Sequence, residues 1–170
     1  GQEAPLIAGR DPRTLASVGI PGFAGAGNLW LWIPQARFGF ETGNTVRIGV
    51  QAAVLAPTSN GNSGAFLTQP DSAERTGRPF AQGRIKVGWG SQDDPSEIAV
   101  GGHIGWLRGF DATTGDSIVQ SNAVTVDARF ALGEIEVLGE AFMGQALGVL
   151  GGGGVGQSIG FNGVPVRTMG

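Results

Sequence analysis

The chain has 170 residues, a formal net charge of −3, no cysteine and 32 glycines. Charged residues make up only 15%, against roughly 25% in ordinary soluble domains, and glycine far exceeds its usual ~7%. These values exclude a disulfide scaffold and a thiolate metal centre, collagen, because the glycines have no period of three, and disorder, because net charge is small and Trp and Phe are plentiful; the 11 Lys and Arg are scattered, unlike a nucleic-acid footprint.

The opening residues Gly1-Gln2-Glu3-Ala4-Pro5 carry neither the basic start nor the apolar run of a signal peptide. No segment reaches the roughly 18 uninterrupted apolar residues of a membrane-crossing helix. One membrane class needs no such run, the β-barrel, whose strands alternate apolar and polar residues.

Six segments alternate in this way, and helical periodicity is almost absent. The first runs from Asn28 to Glu41, with Trp30, Trp32, Pro34, Ala36, Phe38 and Phe40 on one face and Leu29, Leu31, Ile33, Gln35, Arg37, Gly39 and Glu41 on the other. The second, Val46 to Ala56, sets Val46, Ile48, Val50, Ala52 and Val54 against Arg47 and Gln51. In the third, Phe80 to Gly90, Ile85, Val87 and Trp89 oppose Gln82, Arg84 and Lys86. The fourth, Ile98 to Leu107, sets Ile98, Val100, Ile104 and Trp106 against Gly101, His103 and Gly105. The fifth, Ala123 to Leu132, opposes Val124, Val126, Ala128, Phe130 and Leu132 to Thr125, Asp127 and Arg129. The sixth, Ile135 to Met143, opposes Ile135, Val137, Ala141 and Met143 to Glu136, Leu138 and Glu140. Every charge in these strands falls on the polar face.

The connections are Thr42–Thr45, Pro57–Arg78, Ser91–Glu97, Arg108–Asn122, Gly133–Glu134 and Ala146 onward, alternately short and long. In an antiparallel meander this gathers tight turns at one end and long loops at the other, the asymmetry of outer-membrane barrels. The aromatic residues of the apolar face fall near the strand ends. Trp30, Trp32 and Trp106 lie toward the long loops, and Trp89, Phe38, Phe40 and Phe130 toward the tight turns. Two aromatic girdles flanking an aliphatic band is the expected reading.

The fold expected is therefore all-β, an antiparallel up-and-down meander of about six long strands forming part of a transmembrane β-barrel. Outer-membrane barrels have at least about eight strands, so residues 1–170 are expected to be a single incomplete domain, an internal piece of a larger barrel. The C-terminal Val166-Arg167-Thr168-Met169-Gly170 reads as loop.

Gly1-Gln2, Asp11-Pro12-Arg13-Thr14-Leu15 and Ile33-Pro34-Gln35-Ala36-Arg37 together resemble Gram-negative outer-membrane porins, nearest to DcaP-like trimeric porins and related barrel proteins. Gly139-Glu140-Ala141-Phe142-Met143-Gly144-Gln145, followed by the glycine run Gly151 to Gly154 and Val155-Gly156-Gln157, adds to the likeness. The lack of Tyr and of a terminal aromatic strand departs from that pattern. The resemblance implies a passive diffusion channel in the outer membrane of a Gram-negative bacterium, a homotrimer at full length, with long loops narrowing the pore. Its partners would be membrane lipid and small hydrophilic solutes, with no nucleic acid.

Gln35, Arg37, Glu41, Arg47, Gln51, Gln82, Arg84, Lys86, His103, Asp127, Arg129, Glu136 and Glu140 are then the expected pore-lining residues. The competing reading makes the charges cross-strand partners that satisfy one another, Arg129 with Glu136 or Glu140 and Arg37 with Glu41. Arg37, Arg47, Arg84 and Lys86, opposed only by Glu41, point to anion preference. Gly151-x-Gly153-x-x-Gly156 matches the dinucleotide fingerprint in form, but no helix pattern or later acidic residue follows, so it reads as a loop. The single His103 has no triad or zinc partners in view. Asp93-Asp94-Pro95-Ser96-Glu97 reads as turn chemistry before a calcium site. No enzyme activity, metal or cofactor is expected. The competing classes are a soluble β-sandwich or jelly-roll binding module, with apolar faces packed together, and a non-conducting structural barrel.

Overall fold

The structure, a computed structural model, describes residues 2–3, 6–7, 33–57, 70–111, 115–150, 158–160 and 163–170. The strands are β1 (Gln2–Glu3), β2 (Ile33–Thr42), β3 (Val46–Leu55), β4 (Phe80–Gly90), β5 (Pro95–Asp111), β6 (Gly115–Leu132), β7 (Ile135–Gln145) and β8 (Arg167–Met169). They form one antiparallel sheet in sequence order, β1 through β8. The six long strands are those marked by alternation. The sheet is open: among the described residues β1 pairs only with β2, and β8 only with β7.

The hairpins follow from local chemistry. Leu132 pairs with Ile135 across Gly133-Glu134, and Gly133 takes φ 69°, the positive φ that a two-residue hairpin needs at its first central position. Gly43, at φ 105°, opens the β2–β3 turn, and a Cβ there would lie 2.1 Å from the Val46 carbonyl oxygen.

Three boundaries differ from expectation. The segment Arg108–Asn122, expected as a long loop, is mostly sheet: β5 continues to Asp111, β6 begins at Gly115, and Asp111 pairs with Gly115. Arg108, Asp116, Ser117 and Gln120 blur the alternation there, yet an antiparallel ladder requires only backbone partners. β5 likewise starts at Pro95 and so takes Ser96 and Glu97 into the strand. The C-terminal segment is not loop but β8, extended by reciprocal Phe142–Gly170 backbone hydrogen bonds of 2.8 and 3.0 Å. Residues 28–32 of the expected first strand, including Trp30 and Trp32, lie outside the described residues, as do the glycine run 151–157 and residues 8–32.

The two faces are inverted relative to a water-soluble sheet. The face carrying Val46, Ile48, Val50, Ile85, Val100, Val124 and Val126 is bare, with Phe38 74% and Ile135 64% exposed. The polar face is covered in part. At the long-connection end Leu6, Ile7, Leu147 and Leu150 lie buried in one cluster with Ile33, Leu55, Phe80, Leu107 and Val119. The core of the described chain is thus on the polar face, at one end of it.

Candidate functional site on the covered face

Toward the tight turns the covered face carries a strip of charge, and register explains its layout. Glu41, Gly49 and Lys86 occupy successive positions of one row across β2, β3 and β4. Gly49 has no side chain, so the Lys86 stem lies across it; a Cβ there would sit 2.6 Å from Lys86 Cε. Lys86 Nζ thereby reaches Glu41 Oε2 at 2.5 Å, and it stands 3.4 Å from Glu97 Oε2. Arg47 adds a second contact to Glu41, Nε to Oε1 at 3.4 Å.

One row further, Arg84 is buried and spans four strands. Its Nε and Nη2 donate to the two oxygens of Asp127 on β6 at 3.1 and 2.6 Å. Nη2 also donates to Glu97 Oε1 on β5 at 2.7 Å, and Nη1 to Gln51 Oε1 on β3 at 3.2 Å. A planar fork satisfied on three sides suits a guanidinium and no other side chain. Gly101, next to Arg84 in the ladder, leaves room for Thr125 and Ile7; a Cβ there would lie 2.6 Å from Thr125 Oγ1. At the turn end Arg129 is ion-paired with Asp94 and Glu136 and donates to the Pro95 carbonyl at 2.5 Å. Asp94 and Glu97 are therefore each committed to an arginine, and among the described residues no His/Asp/Glu group has a metal-binding arrangement.

All thirteen polar residues expected to line a lumen share this face by register. They do not share one environment. Arg37, Glu41, Glu136 and Glu140 are exposed, Gln35, Arg47, Gln51, Lys86 and Arg129 half-buried, and Gln82, Arg84, His103 and Asp127 buried. Of the expected ion pairs, Arg129–Glu136 forms. Glu41 takes Arg47 and Lys86 from the neighbouring strands, and Arg37 donates to Gln35 Oε1 at 2.9 Å. The cations are not opposed by Glu41 alone: Glu97 and Asp127 neutralise Arg84, and Glu97 also faces Lys86. Glu97 follows Asp93-Asp94-Pro95, which reads as a turn, so the strand pattern by itself does not reach it. Carrying the alternation of Gly101 and His103 back to Pro95 would have placed it on this face.

His103 belongs to the covered cluster rather than to an open surface. Its ring meets Phe80 edge-on, with centroids 5.4 Å apart. Nδ1 lies 3.2 Å from Gln82 Nε2 and Nε2 3.1 Å from Ser121 Oγ. Gly105 makes room for Phe80; a Cβ there would lie 2.5 Å from the ring. Ser121, fully buried, is hidden from the sequence in the same way, since it lies in the part of β6 whose pattern reads as loop.

On the bare face Trp89 and Phe130 approach to 6.2 Å at the tight-turn end. Trp106 lies at the other end, with the Arg78 guanidinium 5.8 Å from its ring centroid. Phe38 does not join the tight-turn row; register aligns it with Ala52, Gly83, Gly102, Val124 and Met143, in mid-sheet. Phe40 lies in the next row, with Val50, Ile85, Val100, Val126 and Ala141. The charges this face of the strands carries, Arg108, Asp116 and Arg167, sit toward the long connections, Arg108 and Asp116 3.6 Å apart.

Comparison with protein-family models, curated proteins and solved structures found no match to this chain.

Proposed function

We propose that this chain forms part of the wall of a transmembrane β-barrel in a Gram-negative outer membrane, and that the barrel passes small hydrophilic solutes by diffusion. The observation that carries the reading is the inversion of the sheet: Val, Ile and Phe side chains are bare on one face, while Arg84, Glu97 and Asp127 are buried on the other. Soluble monomers rarely expose contiguous apolar patches beyond about 300–600 Å². The bare face offers more than a dozen such side chains in adjacent rows. In lipid that face needs no partner, because the acyl chains are as apolar as the side chains.

The spacing of the aromatic rows supports the same reading. Phe130 and Gln120, the partner of Trp106, are ten positions apart on β6. At ~3.3 Å per residue this is ~33 Å along the strand. With the ~40° tilt of barrel strands it becomes ~25 Å along the membrane normal, the height of the apolar band in outer-membrane barrels. β5 and β6, of 17 and 18 residues, exceed the 9–11 needed to cross, so their hairpin would project beyond the lipid past Trp106.

Unpaired backbone groups in lipid cost several kcal/mol each, so the proposal includes further strands against β2 and beyond β8 to close the barrel. The porin resemblance adds a trimer. Solute would pass along the strip of Glu41, Arg47, Lys86, Glu136 and Glu140. Because acids and bases alternate there, the passage filters by size, with weak charge selectivity. A second reading, a non-conducting barrel, is favoured by one observation: the apolar cluster of Leu6, Ile7, Leu147 and Leu150 fills the long-connection end of the covered face.

Reconstitution of the complete barrel that contains these strands into planar bilayers and liposomes tests both. Stepwise conductance with a reversal potential near zero in a salt gradient supports the channel. Insertion without conductance supports the closed barrel. Failure to enter lipid overturns the membrane reading and returns the chain to the soluble sandwich class.

A further inference from the structure

Four side-chain hydrogen bonds on the covered face join end to end. The Leu6 amide donates to Gln82 Oε1 at 2.7 Å. Gln82 Nε2 meets His103 Nδ1 at 3.2 Å, His103 Nε2 meets Ser121 Oγ at 3.1 Å, and Ser121 Oγ donates to the Ala146 carbonyl at 3.0 Å. The two ends are backbone groups of fixed polarity, and they set the direction of everything between. An N–H at Leu6 requires oxygen on the Gln82 atom facing it. Gln82 then presents its NH₂ to His103, whose Nδ1 must accept. The ring proton is consequently on Nε2 and is given to Ser121, whose own proton goes to Ala146. Every member is satisfied only when His103 is neutral and in that tautomer. The serine proton points away from the imidazole, so the pair is not arranged for nucleophilic catalysis.

The chain of bonds ties two inward-folded segments to the sheet. One is Leu6–Ile7, whose Ile7 lies over Gly101; a Cβ on Gly101 would be 2.9 Å from Ile7 Cγ2. The other begins at Ala146, held at φ 55°, a conformation that L-residues other than glycine rarely adopt, and fixed by its N–H bond to the Val166 carbonyl at 2.8 Å.

We infer that His103 is an acid-released latch that holds the Leu6–Ile7 segment against the polar face of the sheet. A solvent proton added at Nδ1 turns that atom into a donor facing the Gln82 NH₂. The clash is relieved by a half-turn of the Gln82 amide, which sets its oxygen against His103 and its NH₂ against the Leu6 N–H. The Leu6 bond is then lost, and the segment with it.

The groups that touch the imidazole, Phe80 and Gln82 from β4 and Ser121 from β6, are uncharged, and Arg167 of β8 lines a cavity with His103. Along β5 itself the flanking inward positions are Gly101 and Gly105. The nearest ionic groups of the same face are Arg84, Glu97 and Asp127, engaged with one another toward the tight turns.

The chain has no cysteine, which makes a single thiol a clean reporter, and the test does not depend on whether the barrel conducts. Ile7→Cys is labelled in detergent micelles with a dipyridyl disulfide, which reacts with thiols in acid as well as at neutrality. Its rate is divided by that of Asn44→Cys in the exposed β2–β3 turn. Between about pH 7.5 and about pH 3.5 the ratio should rise about tenfold or more, as a local opening would produce. In a His103→Asn background, where an amide oxygen accepts from Gln82 and does not titrate, the ratio should stay low throughout. In a Gln82→Leu background it should be high throughout. A flat ratio in the parent overturns the latch. So does a rise that survives His103→Asn, because carboxylates would then carry it, and so does a low ratio in Gln82→Leu at neutral pH.

Discussion

Placing an arginine at Val126 tests whether the bare face meets lipid or water. Val126 is 45% exposed on the bare face, in the row of Phe40, Val50, Ile85, Val100 and Ala141. It lies four residues from Phe130 on the same strand. At ~3.3 Å per residue and a tilt of ~40°, that puts it ~10 Å inside the aromatic row, near the middle of a band ~25 Å tall. Val126→Arg should therefore cost about 2–4 kcal/mol in lipid, and Val137→Arg, directly opposite Phe130, only about 0–1 kcal/mol. If the face meets water, both substitutions should stay within about ±0.5 kcal/mol. The assay is reversible denaturant unfolding of the reconstituted protein in liposomes, followed by Trp fluorescence. Equal effects at the two positions, or no effect at Val126, would refute the depth argument and with it the assignment of this face to lipid.

Arg84→Leu leaves Glu97 and Asp127 buried without their shared cation and should cost about 3–5 kcal/mol, while Arg37→Leu, at an exposed position, should change stability by less than about 1 kcal/mol; comparable losses in denaturant titrations would show that the buried fork is not special. Gly105→Ala drives a methyl group into the Phe80 ring, which stands 2.5 Å from that position, and should destabilise by about 1–3 kcal/mol with altered packing of Phe80 against His103, visible in the histidine ring NMR shifts. Gly43→Ala should slow or misregister the β2–β3 hairpin, since its Cβ would overlap the Val46 carbonyl oxygen and its φ is positive; unchanged refolding kinetics would count against that turn's role in setting register.

Much of the fold is visible in the chain because sheet alternation is a local property. Val46, Ile48 and Val50 against Arg47 and Gln51 fixes a strand and its faces without reference to any other strand. Phase also separates Lys86 from Val87 and Asp127 from Val126. Where alternation lapses, as at Arg108 or Gln120, the same reasoning stops too early, and the ladder runs on because it is held by backbone groups that every residue supplies. Glu97 and Ser121 are hidden for this reason: their segments read as turn and loop, although each continues the parity of its strand.

Partnership is another matter. Arg129–Glu136 was legible because the two flank a two-residue turn, so the register between them is set locally. Glu41 could not be assigned to Lys86 from sequence, because that contact needs two ladders in register and a glycine between them. The same holds for Arg84, which gathers Gln51, Glu97 and Asp127 from three other strands.

The amino-acid sequence by itself determined the class of the fold, the long strands and the separation of an apolar from a charged face, since each depends only on period-two patterning and on turn residues such as Gly133. Tertiary structure alone decided which face is covered, where the small core lies, and that His103 is locked between Gln82 and Ser121 rather than facing an open surface. Those outcomes depend on where Leu6, Ile7 and Ala146 return to the sheet, and a chain segment's docking position is set by long-range packing that no local pattern encodes.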